Sequence, residues 1–149
     1  MSKAILLVNA NIINEGKNFP GNISITNGII EKVIPGIDIN ANDFRSSQII
    51  DLKGKYILPG AIDPHTHIAM PFMGTHAQDD YETGTIAAAC GGVTSLVDFD
   101  LQQKGETLLE ALERKKALAD GKVAIDYSLH PAVMDPRPDV IEEVKKACL

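Results

Sequence analysis

The chain has 149 residues, 44% of them hydrophobic and 23% charged. That is enough for one ordinary globular domain or two small ones and excludes a disordered segment. A formal net charge of -6 excludes nucleic acid as the main partner, because phosphate binding needs clustered Lys and Arg.

Residues 1–58 have the texture of short strands. Ala4-Ile5-Leu6-Leu7-Val8 leans towards β structure, with Ile12 and Ile13 behind it. Asn22-Ile23-Ser24-Ile25-Thr26 alternates polar and apolar residues, and Asn27-Gly28 is a hairpin turn signal leading into a return strand, Ile29 to Ile34. Pro35 to Ser47 is polar and reads as an irregular loop. Ile49-Ile50-Asp51-Leu52 and Tyr56-Ile57-Leu58 flank a second turn, Lys53-Gly54-Lys55. These pieces predict a small all-β unit with one exposed face.

Pro59-Gly60 breaks that pattern and opens a second expected domain, 59–149. Ala61 to His67 reads as a strand. Ile68 to Gln78, with Pro71, Gly74 and no clean period, reads as a loop. Asp79 with Glu82 three residues on predicts a capped helix start, and Gly91-Gly92 predicts its stop. Val93 to Phe99 is a second strand, largely apolar on both faces. Leu108, Leu109 and Leu112 mark a second helix that ends near Gly121. Its cationic run Arg114-Lys115-Lys116, flanked by Glu110 and Glu113, is expected to be a solvated face. Val123 to Leu129 is a third strand, and Asp139 with Glu142 caps a third helix through Val140, Ile141 and Val144.

Strand–helix alternation with apolar strands implies parallel β/α units. Three fit in this chain, where a closed parallel barrel needs eight. Cys90, behind three alanines, is expected to be a small buried residue. It makes no C-x-x-C pair with the distant Cys148, so neither a disulfide framework nor a thiolate zinc site is expected. The run Ala4 to Val8 is too short for a signal-peptide core, and no window approaches a membrane span. A reducing cytoplasm, with no membrane partner, is the expected setting.

The most informative stretch is Pro59 to His67, P-G-A-I-D-P-H-T-H. In an extended strand His65 and His67 point the same way, and Asp63 shares their parity. Two neutral imidazoles side by side are a ready grip for a divalent metal. Asp63 could orient a ligand histidine or simply bond to nearby backbone. Asp79 and Asp80 are better explained as a helix start than as an acid pair. His76 falls in the loop and is expected to be solvated. Gly91-Gly92 follows a helix instead of opening one, so it is no phosphate-binding loop.

The stretch G-A-I-D-P-H-T-H-I-A-M-P-F-M-G-T, followed by D-D-Y-E-T-G-T-I-A-A-A-C-G-G-V-T-S-L-V-D-F and later by G-K-V-A-I-D-Y-S-L-H, closely resembles the dihydropyrimidinase and D-hydantoinase branch of the amidohydrolase superfamily. The resemblance covers nearly all of this chain but only the N-terminal third or so of such an enzyme. It implies a partial (β/α)8 barrel, its first three β/α units, preceded by the N-terminal part of a β-sandwich. It implies that His65 and His67 bind one metal of a binuclear site, most simply zinc, with manganese as the alternative. The bridging carboxylated lysine, two further histidines and a proton-transferring aspartate of that family would all lie beyond position 149. No catalytic residue is therefore assigned within this chain.

The same resemblance implies that the loop Ile68 to Gln78 shapes the substrate pocket, with Met70, Phe72 and Met73 as a deformable apolar wall, or else packs on the barrel mouth. It favours a structural or supporting role for His130, which ends the third strand as Asp98 ends the second. Dihydroorotases of the superfamily place an arginine two residues after the second histidine. Here that position is Ala69, which favours an uncharged cyclic amide and leaves the preference within the branch open.

Three functions follow as expectations. The first is part of a cyclic amidohydrolase that opens dihydropyrimidines or hydantoins to N-carbamoyl amino acids, inactive as this chain alone. The second is a non-catalytic scaffold of the dihydropyrimidinase-like kind, which retention of both histidines argues against. The third is a half-enzyme completed by a second polypeptide. Uncovered strand edges and helix faces predict a homo-oligomer or association with the missing barrel portion.

Overall fold

The computed structural model describes residues 4–40, 44, 48–72 and 74–147. Of the polar segment Pro35 to Ser47, residues 41–43 and 45–47 lie outside the described residues, as do Met73, Cys148 and the side chain of Phe72. The chain divides into two compact units, Met1–Pro59 and Gly60–Leu149.

The first unit is one five-stranded sheet. β1 (Ala4–Asn14) pairs antiparallel with β2 (Lys17–Thr26), and β2 with β3 (Ile29–Pro35). Asn27 and Gly28 both have positive φ, 52° and 84°, which is the turn whose twist matches a two-residue hairpin. β4 (Gln48–Asp51) and β5 (Tyr56–Ile57) both run parallel to β1. The Lys53-Gly54 turn therefore does not make a hairpin: the two strands lie in line along β1, one after the other. Ala10, Ile12 and Ile23 form the buried core, with Leu7, Phe19, Ile25, Leu52 and Ile57 packed on it. At Asn9 the β1 register shifts. Buried Asn22 absorbs the irregularity, accepting from the Asn9 amide at 3.1 Å and donating to the Gly36 carbonyl at 2.7 Å.

The second unit is a parallel three-stranded sheet in the order β10-β9-β6, from β6 (Ala61–Thr66), β9 (Val93–Leu101) and β10 (Asp126–Ala132). α1 (Tyr81–Cys90) connects β6 to β9, α2 (Leu108–Ala119) connects β9 to β10, and α3 (Pro138–Ala147) follows. This is a partial barrel of three β/α units; the sheet does not close among the described residues. No helix among them is long and apolar enough to cross a membrane.

The structure corrects several sequence expectations. The loop Ile68 to Gln78 holds a small antiparallel ribbon, β7 (Pro71–Phe72) with β8 (Thr75–His76). The α1 cap sits one residue later than the Asp79–Glu82 pattern implies: Asp80 accepts from the Thr83 amide while the Thr83 hydroxyl accepts from the Asp80 amide. The threonine closes the box in place of a glutamate. α2 has an unforeseen capping box of its own, Thr107 with Glu110. The third strand begins at Asp126, not Val123. Asp139 lies inside the first turn of α3, paired with Arg137. Cys90 is exposed, because the last turn of α1 presents it to solvent instead of to the sheet.

The largest correction concerns Arg114-Lys115-Lys116. Only Lys116 is solvated. Lys115 is 3% exposed because it shares a helical stripe with buried Leu108, Ala111 and Ala119, which faces the sheet. Arg114 turns towards Asp100 and Glu106.

Candidate metal centre

β6 ends irregularly. Against β9 it pairs Asp63 with Leu96 and then Thr66 with Asp98, so three steps on β6 match two on β9. This is a bulge, and Pro64, which has no amide hydrogen, sits within it. The bulge frees the His65 amide from the ladder, and the Asp63 carboxylate accepts it at 3.1 Å. Asp63 thus makes the backbone bond that was one of its two expected roles, and its pairing with Leu96 puts it on the helix-facing side of the sheet, off the parity expected with the histidines.

Beyond the bulge, His65 and His67 converge. Their Nε2 atoms are 3.2 Å apart and their rings meet edge to face at 82°, both exposed. Two nitrogens bound to one tetrahedral zinc at about 2.0–2.1 Å would lie about 3.3 Å apart. The donor pair thus fits one divalent metal ion. On the far side of its ring, His67 Nδ1 lies 3.1 Å from Met70 Sδ. A proton on Nδ1 leaves the Nε2 lone pair for a metal. Among the described residues no group of three or more His, Cys, Asp and Glu is placed to hold a metal.

Phe99 forms the floor. Its ring lies 4.6 Å from that of His65, 5.5 Å from His67 and 5.3 Å from His130. His130 thus shares the histidine side of the sheet through Phe99. Met70, with His67, Thr75, His76 and Ala77, lines an open cleft of about 420 Å³ beside the pair. His76 is exposed, as expected, on the rim of that cleft.

Asp98 points the other way. On β9 the buried residues Leu96, Asp98 and Asp100 alternate with Val97, Phe99 and Leu101, so both carboxylates face the helices. Thr66 Oγ1 and the Ile68 amide both donate to Asp98 Oδ1 at 2.9 Å. Tyr81 OH donates to Oδ2 at 2.7 Å, and Lys115 Nζ lies 3.0 Å from it. Lys115 also donates to the Ile68 carbonyl at 2.6 Å. Burial, and then the carboxylate it serves, push the Tyr81 phenol far up, so it stays a donor. Next along the strand, Asp100 accepts from Arg114 at 3.1 Å through Oδ1, while its buried Oδ2 has no hydrogen-bond partner among the described residues. Burial raises Asp100 above the ordinary carboxylate range against the pull of Arg114. Sequence reasoning missed this cluster. Its signals were present: Lys115 lies seven residues after Leu108 and four before Ala119, in phase with both, and Asp98 alternates with Leu96.

Comparison with known proteins sets this geometry in context. Residues 56–148 match the Amidohydrolase family. The chain is similar to a D-hydantoinase of Geobacillus stearothermophilus, 40% identical over 95% of this chain and 29% of the relative. It is similar to a dihydropyrimidinase of Dictyostelium discoideum, 40% identical over 87% of this chain and 25% of that protein. Among solved structures, the dihydropyrimidinase from Brevibacillus agri superposes with a TM-score of 0.83 at 42% identity, covering 99% of this chain and 31% of that one. The chain therefore spans less than a third of the length of these relatives.

Proposed function

The chain belongs to the amidohydrolase family, and on that premise we propose that it is part of a metal-dependent cyclic amidohydrolase in which His65 and His67 hold a divalent ion, most simply zinc. The observation that carries the reading is the 3.2 Å separation of their Nε2 atoms at the end of a parallel strand, the end at which barrel enzymes place their chemistry. The unit Met1–Pro59 serves as the first strands of a sandwich, and the unit from Gly60 as the opening of the barrel. The remaining ligands, and the second metal of a binuclear centre, belong to the portion of the fold that this chain does not span.

The substrate is an uncharged ring amide, a dihydropyrimidine or a hydantoin. Water adds to the ring carbonyl, the ring C–N bond breaks, and an N-carbamoyl amino acid results. When bound, the metal supplies Lewis acidity towards that carbonyl and acidifies water. This chain's residues hold and shape the site. Asp63 fixes the bulge that turns the His65 ring outward, Phe99 backs both rings, and Met70 walls the pocket for the substituent on the substrate ring. Ala69, two residues past the second histidine, leaves no cation there for a substrate carboxylate.

Zinc uptake by equilibrium dialysis, compared between wild type and a His65→Ala, His67→Ala double variant, tests the reading. The expected result is uptake that the double variant abolishes. Equal uptake by both would favour a non-catalytic scaffold. By itself the chain, with zinc added, is expected to leave dihydrouracil and hydantoin intact.

A further inference from the structure

We propose that the buried cluster of Asp98, Lys115 and Tyr81 is the positioning device for His67, setting how tightly and in what geometry the histidine pair grips its metal. The inference rests on the reading of His65 and His67 as ligands.

The two residues that flank His67 are tethered to a single oxygen. Thr66 Oγ1 and the Ile68 amide both end on Asp98 Oδ1 at 2.9 Å. The Ile68 carbonyl ends on Lys115 Nζ. The β6 ladder stops at Thr66, so charged side chains, not strand pairing, hold the polar backbone groups of Ile68. Tyr81 occupies the other carboxylate oxygen and stops Asp98 from rotating. Four elements meet at this carboxylate: the end of β6, β9, the first residue of α1 and the buried stripe of α2.

An ion pair with 3% and 0% of its side chains exposed is a costly way to join a helix to a sheet, since apolar residues of equal volume often do as well. What a charge pair adds is direction, because only one placement of the Thr66–Ile68 backbone satisfies all its bonds. His67 sits at the centre of that segment with its ring on the opposite side. The molecule contains its own control. Asp100 and Arg114 form a second pair two residues along the same strand, but the bonds of Arg114 go to Leu101 and Glu106 and none reaches residues 61–70.

Cobalt(II) titration of the full chain tests the proposal, followed by visible absorption, with circular dichroism and urea unfolding run on each variant. Asp98→Asn is expected to weaken cobalt binding about tenfold or more, the usual effect of removing a partner that orients a ligand, and to alter the visible band. Tyr81→Phe keeps the charge pair and removes one hydrogen bond, so it reports even where Asp98→Asn fails to fold; weaker cobalt binding is expected. Asp100→Asn, whose carboxylate feels the Lys115 charge but makes no bond to residues 61–70, is expected to weaken cobalt binding far less than Asp98→Asn. Unchanged affinity in Tyr81→Phe and in Asp98→Asn, or in Tyr81→Phe alone where Asp98→Asn fails to fold, would overturn the proposal. So would an equal loss in Asp100→Asn and Asp98→Asn. A wild type that takes up no more cobalt than the His65→Ala, His67→Ala variant would instead overturn the metal reading beneath it.

Discussion

Lys115 carries a charge into a layer almost closed to water, and its ammonium finds there one carboxylate and one carbonyl. Removing one partner of such a pair strands the other, which typically costs about 3–5 kcal/mol. Lys115→Met should therefore lower stability by about that amount in urea unfolding, whereas Lys116→Met, one position on and exposed, should change it by less than about 0.5 kcal/mol. Equal effects would mean that Lys115 is not buried as described. The charge triplet was legible in the sequence, but its meaning lay in helical phase, not in charge: position 115 completes an apolar stripe and position 116 does not.

Asp100 gives a pH signature of known sign. Burial raises its folded-state value above that of the unfolded chain, so the folded state binds this proton more tightly. Its stabilising contribution is complete below the ordinary aspartate value and is lost as pH rises through the raised folded value. The stability of wild type minus that of Asp100→Asn should therefore shrink as pH rises above the ordinary aspartate value. A difference that grows instead would contradict the burial of this carboxylate.

At the scale of elements, β6 is pinned at both ends. At its start Gly60 faces Thr94 so closely that an added Cβ would lie 2.1 Å from Oγ1 and 2.7 Å from Cβ. Rotating the threonine cannot relieve the second contact. Gly60→Ala should cost about 1–3 kcal/mol through the displacement it forces, read as a lower urea midpoint; an unchanged midpoint would show that the strand has room to shift. At the other end the bulge aims the histidines. Asp63, paired with helix-facing Leu96, does not share the side of the histidines; the strand itself and the paired rings were readable from H-x-H spacing. The bulge was not, because it is a property of register against β9, which no local pattern encodes. The one-residue error in the α1 cap has a similar origin: Asp79 and Asp80 are chemically alike, and backbone conformation chooses between them.

At the scale of the whole molecule, alternation of strands and helices from position 60 onward was enough to anticipate a parallel sheet in sequential order, since β/α units leave few alternatives. The in-line placement of β4 and β5 was not readable, because a turn signal says where the chain bends but not which strand it rejoins. In the parallel sheet β6 and β10 each pair with β9 alone among the described residues. Ile62 and Met134 are 67% and 61% exposed. Such edges and apolar surface favour association. Size-exclusion chromatography with light scattering should find oligomers or aggregates; a monomer with a sharp cooperative melt would contradict that expectation.

The proposed site stands or falls with two rings acting as one ligand pair. Zinc K-edge absorption spectroscopy on the zinc-loaded chain, with its His65→Ala variant beside it, is the most direct measurement. Two imidazole nitrogens at about 2.0–2.1 Å are expected, falling to one in the variant. A spectrum without paired imidazoles, or one that His65→Ala leaves unchanged, would contradict it.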